Sequence, residues 1–259
     1  MNRVTSLFNR KGSDILSVYF TAGYPTVEST AEIINALDKA GIDMIEVGAP
    51  FSDPMADGPV IQGSSTEALR QGMTLEKLFE QVEKARKTSP DIPLVLMGYL
   101  NPMMQYGYRR LFERCESAGI DALIIPDLPM EEYLAEIHPL SIEFNKPVIM
   151  LITPETSEER IREIDSFASG FIYMVSSAST TGTRTEGFSE EQTGYFKRIN
   201  GMNLRNPRLI GFGISDPVTR KQANSHSSGA IIGSLFIKCL SRNDSPAEAV
   251  ADLLKTVGL

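Results

Sequence analysis

No apolar run in this 259-residue chain exceeds a handful of residues, whereas a membrane-spanning helix needs about 20. A helical membrane protein is therefore excluded. Positive charge is also scarce: 25 Lys+Arg against 33 Asp+Glu leave a formal charge of −8. That balance argues against nucleic acid or an anionic membrane surface as the main partner. Two cysteines, Cys115 and Cys239, cannot build a disulfide framework and fit a reducing compartment. The opening residues Met-Asn-Arg-Val-Thr-Ser-Leu-Phe lack the apolar core of roughly 7–15 residues found in secretion signals, so a cytoplasmic protein is expected. The two histidines, His138 and His226, stand far apart and in no ligand spacing, which argues against a His-rich metal site or a His-centred triad. Tryptophan is absent altogether.

What the chain does contain is a recurring short apolar run followed by a segment of helical period, with no linker or low-complexity stretch between. The runs expected as strands are 15–20, 44–47, 94–98, 122–125, 148–152, 171–175, 209–211 and 230–232. Amphipathic stretches at 26–40, 75–87, 108–118, 131–144, 157–167, 189–200, 217–224 and 246–256 are expected as helices. Ser157 and Ser189, each followed by two acids, read as N-caps. Gly41 and Gly119, in two Ala-Gly-Ile-Asp runs, read as C-caps with the Ile opening the next strand. Eight units of roughly 32 residues match a (β/α)₈ TIM barrel, here a single domain over 1–259 with extra short helices and long βα loops at its C-terminal face. An open doubly wound sheet fits the same alternation; the chemistry at the strand ends favours the barrel.

Glu46 is the first anomaly, a carboxyl group inside the apolar run Met44-Ile45-Glu46-Val47. By alternation it shares a face with Met44. If Ile45 and Val47 pack on helices, Glu46 points into the barrel near its mouth. An unpaired carboxylate there is costly unless it takes a proton or finds a partner. The functional reading is a general acid–base group with a raised pKa; the alternative is a Glu held by a structural hydrogen bond. Residues 48–59 follow, with three prolines, two glycines and two aspartates in twelve, and are expected as a βα loop at the catalytic face. Asp53 stays open between a turn role and a site role. Asp57 is favoured as a second carboxylate at the mouth.

Glycine-rich strand ends, Gly211-Phe212-Gly213 and Gly229 to Ser234, fall after the seventh and through the eighth run. Loops after those two strands form the usual phosphate site of this fold, where backbone N–H groups and a helix dipole favour an anion. Residues 176–188 form a further Gly/Ser/Thr-rich loop in which Gly182 offers another donor. No expected strand contains a lysine: Lys146 precedes the fifth, and Lys197, Lys221 and Lys238 fall in helices. Schiff-base chemistry lacks its nucleophile, and zinc-assisted chemistry lacks its ligands. Carbon–carbon cleavage without either device requires a substrate that serves as its own electron sink. Two carboxylates and an apolar pocket suit an aromatic heterocycle that leaves once protonated.

The runs Ile45 to Gln62, Phe20-Thr21-Ala22-Gly23-Tyr24-Pro25, Met97-Gly98-Tyr99-Leu100-Asn101-Pro102, Pro126-Asp127-Leu128-Pro129, Gly211-Phe212-Gly213-Ile214 and Gly233-Ser234 carry a resemblance to a known family. Over essentially its whole length the chain resembles the α subunit of tryptophan synthase. The resemblance implies cleavage of indole-3-glycerol phosphate to indole and glyceraldehyde 3-phosphate. It implies Glu46 as the general acid–base and Asp57 as the acceptor of the indole N–H. It also implies Tyr19, Met97, Tyr99, Ile124, Tyr173 and Thr181 around the substrate, and Gly182, Gly213, Gly233 and Ser234 on its phosphate. No cofactor is implied in this chain, which has no candidate lysine; pyridoxal phosphate belongs to the β-subunit partner, in an α2β2 heterotetramer. Residues 101–106 are expected as a loop with exposed Met and Tyr at that interface. An absent tryptophan fits a protein made when tryptophan is scarce.

One stretch departs from the family. Where Ser-Arg-x-Gly-Val-Thr-Gly is usual, this chain reads Ser176-Ser177-Ala178-Ser179-Thr180-Thr181-Gly182, which alters the loop's closing contacts rather than the chemistry. Indoleglycerol-phosphate synthase, another phosphate-binding barrel, would require a strand-end lysine. A ligand-binding subunit that activates a β partner with weak catalysis of its own is the reading from a different class; the presence of both Glu46 and Asp57 argues against it.

Overall fold

A computed structural model describes residues 2–176 and 187–259. Eight parallel strands close into a barrel in sequence order, each pairing with the next and the last with the first. They are β1 (Ile15–Thr21), β2 (Met44–Gly48), β3 (Leu94–Met97), β4 (Ala122–Ile124), β5 (Val148–Ile152), β6 (Ile172–Val175), β7 (Arg208–Gly211) and β8 (Gly229–Ile232). Every expected strand is present, within a residue at each end. The closed order excludes the open doubly wound sheet.

Helices cover the outside: α1 (Arg3–Lys11), α2 (Ser29–Lys39), α3 (Pro59–Arg70), α4 (Leu75–Arg86), α5 (Leu100–Tyr106), α6 (Tyr108–Ala118), α7 (Met130–Glu132), α8 (His138–Glu143), α9 (Glu158–Phe167), α10 (Glu190–Gly201), α11 (Pro217–His226), α12 (Ser234–Arg242) and α13 (Pro246–Thr256). No helix among the described residues is long and apolar enough to cross a membrane. Ser157 and Ser189 cap α9 and α10 as expected, their hydroxyls accepting from the N–H of Arg160 and Gln192. Gly41 and Gly119 take positive φ after α2 and α6. The isoleucines behind them are buried but precede the ladder, because β2 and β4 begin only at Met44 and Ala122.

Strand alternation splits the core in two. Ile45 and Val47 pack outward with the helices, while Met44 joins Tyr19, Val95, Met97, Ile124, Tyr173 and Leu209 inside the barrel. The floor of that interior is closed by α1, a helix the sequence reading passed over. Its Val4 and Leu7 are buried in the inner cluster, and Phe8 lies 5.4 Å from Phe171, ring to ring. The Asn2 side chain caps α1 and donates to the carbonyls of Asp121 and Asn145, tying α1 to the bottom of the strands.

Three expectations need correction. The 131–144 segment is not one helix: a π-helical turn at Tyr133–Ile137 separates α7 from α8. Pro139 lacks the N–H that would continue the ordinary ladder, and the bonding slips to a wider turn at that point. Residues 101–106 lie in α5 rather than a loop. Pro102 falls in the first turn, where no N–H is missed; Met103 is buried, and Met104 is left exposed. The 48–59 loop is shorter than expected, since Gly48 ends β2 and Pro59 starts α3 at the position where proline is favoured.

Candidate active site

The C-terminal ends of the strands, where catalysis occurs in this fold, gather the carboxyl groups. Glu46 sits in register opposite Tyr19 on β1 and Val95 on β3 and is wholly buried. The hydroxyl of Ser17 donates to its Oε1 at 2.8 Å, while Oε2 is buried with no partner among the described residues. Burial pushes the carboxyl up to about 7 against the opposing pull of the Ser17 hydrogen bond. Both protonation states are therefore populated near neutral pH.

Asp57 comes from the loop between β2 and α3. That loop bends back far enough for the aspartate to be buried, while its neighbour Met55 is 90% exposed. Tyr99, just beyond β3, donates its hydroxyl to Asp57 Oδ2 at 2.9 Å and accepts the Ala56 N–H at 3.0 Å. Phe51 packs against the Tyr99 ring at 5.3 Å. The loop is thus pinned to β3 by one tyrosine. Burial raises the Asp57 carboxyl above its ordinary value, with the Tyr99 hydrogen bond opposing. Asp53 is exposed and accepts from the Ser52 hydroxyl.

The walls are aromatic and aliphatic. Tyr19, Met97, Ile124 and Tyr173 are all buried in the inner cluster. Burial together with the charges of Glu46 and Asp57 pushes both tyrosine hydroxyls upward, so they remain neutral and the two carboxyls share their field. Each tyrosine owes its room to a glycine on the next strand. A Cβ on Gly48 would fall on the Tyr19 hydroxyl, and one on Gly211 on that of Tyr173. The pattern repeats because each tyrosine lies two residues before the partner of that glycine: Thr21 pairs with Gly48, and Val175 with Gly211.

The glycines expected to bind an anion follow β7 and β8. Gly213 has φ +73° and is exposed after β7; the preceding Phe212, at φ +66°, turns its ring edge-on to Tyr173. Gly233 leads from β8 into α12, whose first residue is Ser234. No side chain among the described residues caps that helix, and uncapped N–H groups at a helix start suit an anion. Thr181 and Gly182 lie outside the described residues. None of the eight strands carries a lysine; Lys146 is buried below β5, 2.5 Å from Glu116.

The sequence reading missed Ser17, Thr21, Ser64 and Phe212. Thr21 and Ser64 share a 2.7 Å hydrogen bond that links β1 to α3, and the Thr21 hydroxyl lies 3.5 Å from that of Tyr19. Ser17 was detectable, since it is a polar residue on the inward face of an apolar strand and the alternation that singled out Glu46 applies to it equally.

Residues 6–258 match the family model described as tryptophan synthase alpha chain. The tryptophan synthase alpha chain of Parabacteroides distasonis is 56% identical over 257 residues, covering 99% of each chain. That of Phocaeicola vulgatus is 56% identical over 254 residues, 98% of each. The crystal structure of the alpha chain from Legionella pneumophila superposes with a TM-score of 0.87 at 31% identity, covering 99% of this chain and 96% of that one.

Proposed function

Because the chain belongs to the tryptophan synthase alpha-chain family, lyases of tryptophan biosynthesis, we propose that Glu46 and Asp57 cleave indole-3-glycerol phosphate between them. The observation that carries this reading is the buried Glu46 carboxyl, poised near neutral pH at the mouth, with a second carboxylate held nearby. Glu46 protonates indole C3, and the ring nitrogen takes up the positive charge. Asp57 accepts the ring N–H and stabilises that charge. Loss of the proton from the side-chain hydroxyl next to C3 then breaks the carbon–carbon bond. Its electrons return to the ring, releasing indole and glyceraldehyde 3-phosphate. Glu46, now a carboxylate, receives the hydroxyl proton and is ready for another turnover.

Tyr19, Met97, Tyr99, Ile124, Tyr173 and Thr181 are the residues we assign to the indole. Gly182, Gly213, Gly233 and Ser234 hold the phosphate. The reaction calls on no cofactor in this chain. Family membership implies a β-subunit partner; an α2β2 heterotetramer with pyridoxal phosphate on the β subunit is the assembly we assign, in the cytoplasm. A single barrel domain over 1–259 is supported by the closure of β8 on β1 and by a family match over 6–258.

The test is incubation of the purified chain with indole-3-glycerol phosphate, alone and with a β subunit, following indole. Indole release is expected in both and faster in the complex. Folded protein that releases none in either case would refute the lyase reading. Ser234→Asp places a negative charge at the start of α12, where the anion would lie. KM is expected to rise by about tenfold or more, since one misplaced charge costs about 1.4 kcal/mol or more in a partly buried site. An unchanged KM would mean that the phosphate binds elsewhere.

A further inference from the structure

Ser17 lies on the inward face of β1, paired in register with Met44 on β2 and Ile231 on β8 and two residues before Tyr19. Its hydroxyl is wholly buried among apolar side chains, where an unmet donor is costly. Its one side-chain hydrogen bond among the described residues is to Glu46 Oε1, at 2.8 Å from a residue 29 positions away. The other oxygen of the same carboxyl, Oε2, is equally buried and has no partner among the described residues.

This asymmetry has a chemical consequence. A carboxyl oxygen that already accepts a hydroxyl hydrogen is the poorer place for a proton, so an acid proton on Glu46 resides on Oε2. Resting on the acid–base reading of Glu46, we propose that Ser17 is a positioning residue that holds Oε1 and thereby dedicates Oε2 to proton transfer with the substrate. The groups facing Glu46 supply no substitute. Val95 opposes it on β3, the hydroxyls of Tyr19 and Tyr173 are not hydrogen-bonded to it, and Asp57 is a carboxyl group like it with no hydrogen to offer as a carboxylate. Burial drives the Glu46 carboxyl upward, and Ser17 is the group that draws it back.

The full-length chain tests this with Ser17→Ala and Ser17→Thr. Two readouts are needed: the carboxyl infrared band of Glu46, identified by its loss in Glu46→Gln, and the pH profile of kcat with indole-3-glycerol phosphate. Loss of a hydrogen bond to a charged group moves a titration by about one pH unit. Ser17→Ala is therefore expected to raise both midpoints by about that much. It should also lower kcat at neutral pH about tenfold, with KM within about twofold. Ser17→Thr, which keeps the hydroxyl, is expected to restore both. Unmoved midpoints in Ser17→Ala, or a folded Ser17→Thr that behaves like it, would overturn the role of Ser17. A fully active Glu46→Gln would instead overturn the acid–base reading beneath it, whichever way the infrared band moves.

Discussion

Glu46→Gln is expected to lower kcat about a thousandfold, the scale of a lost general acid–base group, while leaving the barrel folded. The amide has the shape of the carboxyl and its oxygen still accepts from Ser17, so the hydrogen bond at 2.8 Å survives. What disappears is a proton that can be given and taken back near neutral pH. The same substitution changes stability with a definite sign. The Glu46 carboxyl titrates near 7 in the folded chain against its ordinary 4.5. The folded state therefore binds this proton more tightly than the unfolded one. Its contribution is complete below pH 4.5 and is lost as pH rises through 7. At 1.36 kcal/mol for each pH unit, the parent surrenders roughly 3 kcal/mol over that interval, and the Gln variant surrenders none of it. Thermal melts at pH 5 and pH 8 should thus show the variant gaining on the parent as pH rises. Near-normal turnover would remove Glu46 from the chemistry, and parallel melting curves would place the titration on another group.

Glu46 was legible in the sequence because a strand buried on both faces leaves no cheap place for a charge. One Glu in an apolar run therefore announces itself, and alternation gives the direction it points. Eight strands were legible for a related reason, since parallel strands buried on both faces read as continuous apolar runs. Helices whose first turn contains proline were harder. Pro59 and Pro102 look like turn residues until the backbone shows them at α3 and α5 starts, where a missing N–H costs nothing. The first helix, α1, was hidden by its brevity: only Val4 and Leu7 are fully buried on it, and Ile149 and Phe171, which share their cluster, are distant in sequence. The Tyr99–Asp57 bond could not be read at all, because it joins residues 42 apart through the path of a loop that no periodicity describes.

That bond governs the second large expected effect. Asp57→Asn is expected to reduce kcat about a hundredfold to a thousandfold, the range measured when one preorganised electrostatic partner of a transition state is removed. Asparagine keeps one acceptor oxygen for the substrate ring N–H, while its amide NH2 takes the place of Oδ2 and donates to the Tyr99 hydroxyl, which can turn to accept it. Ground-state binding, read as KM, should therefore change by only about a few fold. The negative charge is gone, and it matters only once protonation at C3 has made the ring nitrogen positive. An interaction made in the transition state and not in the ground state falls on kcat rather than KM. The site's burial enlarges the effect, because a charge 8% exposed is poorly screened by water. The check is a steady-state comparison of Asp57→Asn with the parent chain at one pH on the plateau of the rate profile. A KM raised a hundredfold with kcat intact would make Asp57 a binding residue alone, and the charge developing on the ring would need another partner at the mouth.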